Sequence, residues 1–101
     1  MTMTVKIIDN DKANPPGKLA DAELYFSGAP LDGLKLIGFG IWERRTGGSR
    51  NLNVTFPARQ FSVNGERRLF ALLRPVADIA AQEAVRNEIL QAYDDWEHAE
   101  R

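Results

Sequence analysis

The chain of 101 residues contains no cysteine and a single histidine, His98. Without cysteine it cannot form a disulfide framework, a thiol nucleophile or a zinc site built on thiolates. With one histidine, three residues from the end, it cannot assemble a histidine-rich metal site or a Ser-His triad. These absences exclude common nucleophilic and zinc-dependent chemistries, so we expect no catalytic residue, no metal and no cofactor.

The chain also lacks long hydrophobic runs. No apolar segment approaches the roughly 20 residues needed to span a membrane. The N-terminal residues 1–4 lack the basic and apolar regions of a secretory signal peptide. The apolar content of 44%, the charged content of 27% and the mean hydropathy of −0.35 are typical of one soluble globular domain. We expect residues 1–101 to form a single cytoplasmic domain with no membrane partner.

Charge is unevenly distributed along the chain, although the net charge is only −1. Residues 1–33 carry three lysines against five acidic residues, and residues 76–101 carry two arginines against seven acidic residues. The segment between them, 34–75, carries one lysine and seven arginines against two glutamates. Because arginine suits bidentate contact with phosphate or carboxylate, this segment is a candidate anion-binding region. Solvated strand faces and pairing with the acidic C-terminal segment are the alternative interpretation.

Five segments have the composition of β-strands: about residues 4–9, 19–27, 34–45, 51–62 and 67–74. Asn64-Gly65 separates the last two and is typical of a tight β-hairpin. Pro57 lies within the fourth segment, and because proline donates no backbone hydrogen bond we expect an edge or a bulge there. Gly38 and Gly40, within the third segment, indicate a bulge or the close approach of another element.

A helix is predicted after the strands. Asp78 is a favourable N-cap, and neither proline nor glycine follows it. Apolar residues then recur every three or four positions, which predicts an amphipathic helix over about residues 79–97. The apolar stripe consists of Ala81, Val85, Ile89, Ala92 with Tyr93, and Trp96. Strands followed by one helix predict a two-layer α+β fold, in which the C-terminal helix covers a four- to five-stranded antiparallel sheet.

The third predicted strand is apolar on both faces, since Leu34, Leu36 and Trp42 alternate with Ile37, Phe39 and Ile41. One helix covers only two or three strands on one face of a sheet. The simplest cover for the other face is a second copy of the chain, so we expect a homodimer. A strongly curled sheet that buries both faces alone is the alternative. The expected dimer interface consists of Leu36, Ile37, Phe39, Ile41 and Trp42.

Arginines interleave with aromatic residues in the central segment. Arginines on the loops and strand ends of one sheet can follow a phosphate backbone. We therefore predict a non-enzymatic protein that binds DNA or RNA with modest sequence preference. A protein-interaction adaptor that binds no nucleic acid is the alternative. The predicted phosphate contacts are Arg44, Arg45, Arg50, Arg59, Arg67 and Arg68.

The segment 56–60, Phe-Pro-Ala-Arg-Gln, resembles the Met-Pro-Ser-Lys-Arg-like motif of the stage V sporulation protein G (SpoVG) family. The elements that follow are similar in order: a glycine-centred turn at 64–65, a strand ending at 74–75 in Arg-Pro, and a helix that carries Tyr93. The resemblance extends in order and spacing over roughly residues 17–95.

This resemblance implies a small dimeric α+β protein that binds DNA or RNA and acts as a regulator without catalysis. It places Arg59 on the family's lysine, whereas Ala58 and Gln60 stand where the family has serine and arginine. The family's basic residue near the start of the helix has no clear counterpart, Gln82 and Arg86 being the nearest polar candidates.

Overall fold

The computed structural model describes residues 1–11, 15–46 and 48–100, without the side chains of residues 45, 46, 49 and 100. Its elements are β1 (Thr2–Asp9), β2 (Lys18–Ser27), β3 (Lys35–Thr46), β4 (Ser49–Thr55), β5 (Ala58–Val63), β6 (Glu66–Ala71) and α1 (Ala80–Glu100). Strands β1 to β4 form one antiparallel sheet in that order, and β5 and β6 form a second, two-stranded sheet. The predicted α+β class with one C-terminal helix is confirmed.

Pro57 separates two strands that the sequence predicts as one. The predicted strand 51–62 is wrong as a continuous element, because β4 ends at Thr55 and β5 begins at Ala58. Pro57 is buried between them, and its carbonyl accepts a hydrogen bond of 2.8 Å from the backbone N–H of Leu72. Because proline donates no hydrogen bond, the ladder of the large sheet ends here and the chain continues into a separate hairpin. The predicted strand 67–74 likewise ends earlier, at Ala71.

A β-bulge in β3 changes which of its residues share a face. Ala22 pairs with Phe39 and Leu24 pairs with Leu36, so Ile37 and Gly38 together lie opposite a single residue of β2. Gly38 has a φ of +106°, a conformation that residues with a side chain rarely adopt. The extra residue reverses the alternation, and Leu36 therefore packs against the same core as Phe39.

Helix α1 packs on one face of the four-stranded sheet and contacts its outer strands, β1 and β4. The predicted cap is confirmed, because Asp78 Oδ1 accepts a hydrogen bond of 2.9 Å from the N–H of Ala80. The predicted stripe faces the sheet except at its first member, Ala81, which is exposed. The buried core consists of Ala20, Ala22, Leu24, Phe39, Ile41, Val54, Ile89 and Tyr93.

The predicted dimer interface on β3 needs correction. Phe39 and Ile41 are completely buried in the core of the chain itself, so their assignment to an interface is wrong. Leu36 is half-buried against that core, and Trp42 is half-buried with its indole N–H donating to Thr55 at 2.9 Å. Of the five residues, Ile37 alone is largely open to a second copy, at 57% exposure. The homodimer itself stays a prediction.

Candidate nucleic-acid interface

The six arginines predicted to contact phosphate lie on two different β-hairpins. Arg44, Arg45 and Arg50 flank the turn between β3 and β4, whereas the other three lie on β5 and β6. Strand β4 is about 20 Å long at the usual rise of an extended chain. It starts beside Arg50 and ends beside Pro57, after which the second hairpin begins. The arginines therefore divide into two groups on separate structural units.

Arg50 is engaged within the protein. Its guanidinium donates to both carboxylate oxygens of Glu97 on α1, at 3.0 and 2.9 Å, and its Nε donates to Glu43. The hydroxyl of Tyr93 donates to the same Glu97 at 3.1 Å. The hydrogen bonds to Glu97 are the largest contribution that raises the pKa of Arg50, so this side chain remains a cation. At Arg50 the structure therefore shows the alternative interpretation of the charge pattern, in which an arginine pairs with acidic residues of the sheet and the C-terminal helix.

Of the other two arginines on the β3–β4 hairpin, the structure describes the side chain of Arg44. Arg44 is exposed and lines a cleft of about 570 Å³ with Trp42, Asn51, Asn53 and Arg86, among others. The Nε of Arg86 is buried without a hydrogen-bond partner among the described residues. The side chain of Arg45 lies outside the described part of the chain. On the β3–β4 hairpin, the exposed side chain of Arg44 is therefore accessible to an anionic ligand.

The β5–β6 hairpin extends from the body as a two-stranded ribbon. Its turn is Asn64-Gly65, with φ values of +53° and +80°, as a two-residue type I′ turn requires. This confirms the predicted hairpin. All of its strand residues are exposed except Phe61, which is half-buried. Exposed strands contribute little to a core, so this ribbon presents both of its faces to solvent or to a partner.

One face of the ribbon combines two arginines with two phenylalanines. Arg59 pairs with Phe70 and Phe61 pairs with Arg68. The two arginines therefore lie on one diagonal across the strand pair, and the two phenylalanines lie on the other. The two phenyl rings stack, with centroids 4.8 Å apart and an interplanar angle of 27°. A groove of about 500 Å³ runs beside them, lined by Arg59, Phe61, Phe70 and Leu72. The two cross-strand pairs together form what we name the arginine–phenylalanine face, which consists of Arg59, Phe61, Arg68 and Phe70.

The arginines of the hairpin are weakly paired. Arg68 lies 3.4 Å from Glu66, and both side chains are well exposed, so solvent screens this ion pair. Arg59 and Arg67 form no ion pair with any residue that the structure describes. Arg67 pairs with Ser62 on the opposite face of the ribbon. The hairpin therefore presents three cations whose charge is hardly neutralised by the chain.

The sequence reasoning missed Phe61 and Phe70 as candidate site residues. A signal for them exists, because the pattern Arg-x-Phe occurs once on each side of the turn, at 59–61 and at 68–70. Antiparallel pairing about Asn64-Gly65 places the arginine of each triplet opposite the phenylalanine of the other. Alternation then brings all four side chains to one face.

Comparisons with protein-family models, curated proteins and solved structures find no match to this chain. The resemblance to the SpoVG family therefore stays a prediction. Within the described residues, no group of three His, Cys, Asp or Glu side chains is placed to hold a metal ion. In the same part of the chain, no helix has both the length and the apolar character needed to cross a membrane.

Proposed function

We propose that the protein is a non-enzymatic nucleic-acid-binding regulator that acts as a homodimer. The observation that supports this function best is the β5–β6 hairpin, which presents Arg59, Arg67 and Arg68 on an exposed ribbon with one glutamate. Guanidinium groups without strong acidic partners are suited to phosphate oxygens. Arg44 and Arg45 on the neighbouring hairpin are the further proposed contacts. Arg50 is not part of the proposal, since Glu43 and Glu97 hold it.

Neutralising the hairpin should weaken binding to every nucleic acid. For Arg59→Ala with Arg67→Ala and Arg68→Ala, we expect affinity for single-stranded DNA to fall about 100-fold near 0.1 M salt. The slope of log K against log salt should decrease in magnitude by about 2, because three counterion-releasing contacts are lost. Fluorescence anisotropy with labelled DNA and RNA, from about 50 to 200 mM salt, measures both quantities.

Two further variants locate the effect. Lys6→Ala removes an exposed cation from β1, outside both hairpins, and should leave the affinity within about twofold, since one distant surface charge is screened. Arg44→Ala with Arg45→Ala should lower the affinity for all sequences and reduce the salt slope by about 1 to 2. If the triple variant binds as tightly as the unmodified protein, the hairpin is not the interface. If the unmodified protein binds no nucleic acid even at low salt, a protein-interaction adaptor is favoured instead.

The homodimer is proposed through the start of β3. Leu34, just before β3, and Ile37 within it are both 57% exposed, so their side chains are open to a second copy. We expect sedimentation equilibrium to give twice the chain mass of 11.3 kDa, and Ile37→Glu to return the mass to that of one chain. Leu69→Glu, on the exposed ribbon, is the control and should leave the dimer intact. A single-chain mass for the unmodified protein at high concentration would contradict the proposal.

A further inference from the structure

We infer that the arginine–phenylalanine face is a stacking platform for single-stranded nucleic acid. This inference rests on the proposed function and adds the class of nucleic acid and the residues that select it. Phe61 and Phe70 would stack on unpaired bases, and Arg59 and Arg68 would contact the phosphates between them. The combination of aromatic rings with flanking cations is what sequence-tolerant single-strand binding requires.

The exposure of Phe70 is the first argument. Phe70 is 47% exposed although its ring is stacked on Phe61, so part of this residue remains accessible to a base. Leu72 extends the apolar strip along the adjoining groove. Exposure of a flat apolar surface to water is unfavourable, and the free energy is lowered when another flat ring covers it.

The charge around the two phenyl rings indicates which kind of ligand binds this face. The two strands of the hairpin carry three arginines and one glutamate. Arg67 lies on the opposite face, so two copies placed with their phenylalanine faces together would bring four arginines against two glutamates, which disfavours the ribbon as its own partner. An anionic chain that also carries flat apolar rings satisfies both the cations and the phenylalanines. Nucleic acid has this composition.

The same geometry is expected to distinguish single-stranded from duplex nucleic acid. In a duplex the faces of the bases are covered by their neighbours, so Phe61 and Phe70 cannot stack on them, although arginines can still contact phosphates and base edges. In a single strand the bases can leave the stack and lie on aromatic side chains. The arginines alone would bind either form, whereas Phe61 and Phe70 add affinity only for the unpaired form. The platform is therefore expected to favour single-stranded DNA or RNA over the corresponding duplex.

The test compares an oligothymidylate of roughly 12 nucleotides with an abasic oligomer of equal length and charge. Phe61→Leu with Phe70→Leu should lower the affinity for oligothymidylate about 10- to 100-fold and leave abasic binding within about twofold. Arg59→Ala with Arg68→Ala should lower the affinity for both oligomers. Phe61→Tyr with Phe70→Tyr keeps the aromatic rings and should retain the affinity of the unmodified protein. Unchanged abasic binding by the leucine variant excludes an effect of hairpin disruption, because a disrupted hairpin would also displace the arginines.

The outcomes separate this inference from the proposed function. If the leucine variant binds oligothymidylate like the unmodified protein while the arginine variant does not, phosphate binding stands and the platform is overturned. If a duplex of equal length binds as tightly as the single strand, the platform is likewise overturned. If no oligomer binds, the proposed function fails and the inference fails with it. Parallel measurements with oligouridylate distinguish RNA from DNA as the preferred strand.

Discussion

Phe39→Ala should lower the free energy of unfolding by about 3–5 kcal/mol. Phe39 is completely buried, and its ring meets that of Phe56 edge to face at a centroid distance of 5.1 Å. Removing the ring leaves a cavity under the helix and forfeits this aromatic contact. For a domain whose total stability is about 5–15 kcal/mol, this loss is a large fraction of the whole. Urea unfolding, with the slope m compared between variants, measures it.

Phe70→Ala is the matched control for this substitution. It removes the same side chain from the exposed ribbon, where nearly half of it is already in water, so we expect a loss below about 1 kcal/mol. Equal losses at the two positions would contradict the central place of Phe39 in the core. The pair also tests the corrected interface, because the loss caused by a substitution at a contact between copies would grow with protein concentration, whereas a loss within the core of one chain would not.

Gly38→Ala should destabilise the protein by roughly 2–4 kcal/mol. Two penalties combine at this position. Gly38 has a φ of +106°, and a Cβ built on it would lie only 2.9 Å from Cβ of Pro57. The bulge would have to change its backbone conformation, or Pro57 would have to leave its buried position. Thermal and urea unfolding measure the loss.

Gly33→Ala separates the two penalties. Gly33 also has a positive φ, of +82°, but a Cβ there would meet nothing within 4 Å. We expect a loss of about 1 kcal/mol at this position, from backbone conformation alone. The difference between the two variants measures the close contact of Gly38 with Pro57. If Gly33→Ala costs as much as Gly38→Ala, the packing of Pro57 on the bulge contributes nothing to stability.

Part of the candidate site was accessible from sequence. Arg59, Arg67 and Arg68 flank a recognisable hairpin turn, so their place on exposed strands follows from local rules. The pairing of Arg50 with Glu97 does not follow from local rules, because the two residues are 47 positions apart along the chain. Only packing of the helix on the sheet brings that carboxylate to it. Uneven charge along the chain indicated that such pairing was possible, but not which arginine it would involve.

Local patterns determined the order of the elements, the cap at Asp78, the turn at Asn64-Gly65 and the stripe of α1 that faces the sheet. Each depends on residues within a few positions of one another, where propensity and hydrophobic period act directly. Gly38 and Gly40 indicated a bulge or a close approach in β3, but only the tertiary structure showed both at Gly38 and separated the β5–β6 ribbon from the large sheet. A bulge shifts the alternation of β3 by one residue, and the approach of Pro57 to Gly38 joins positions 19 residues apart, so neither follows from alternation along one strand.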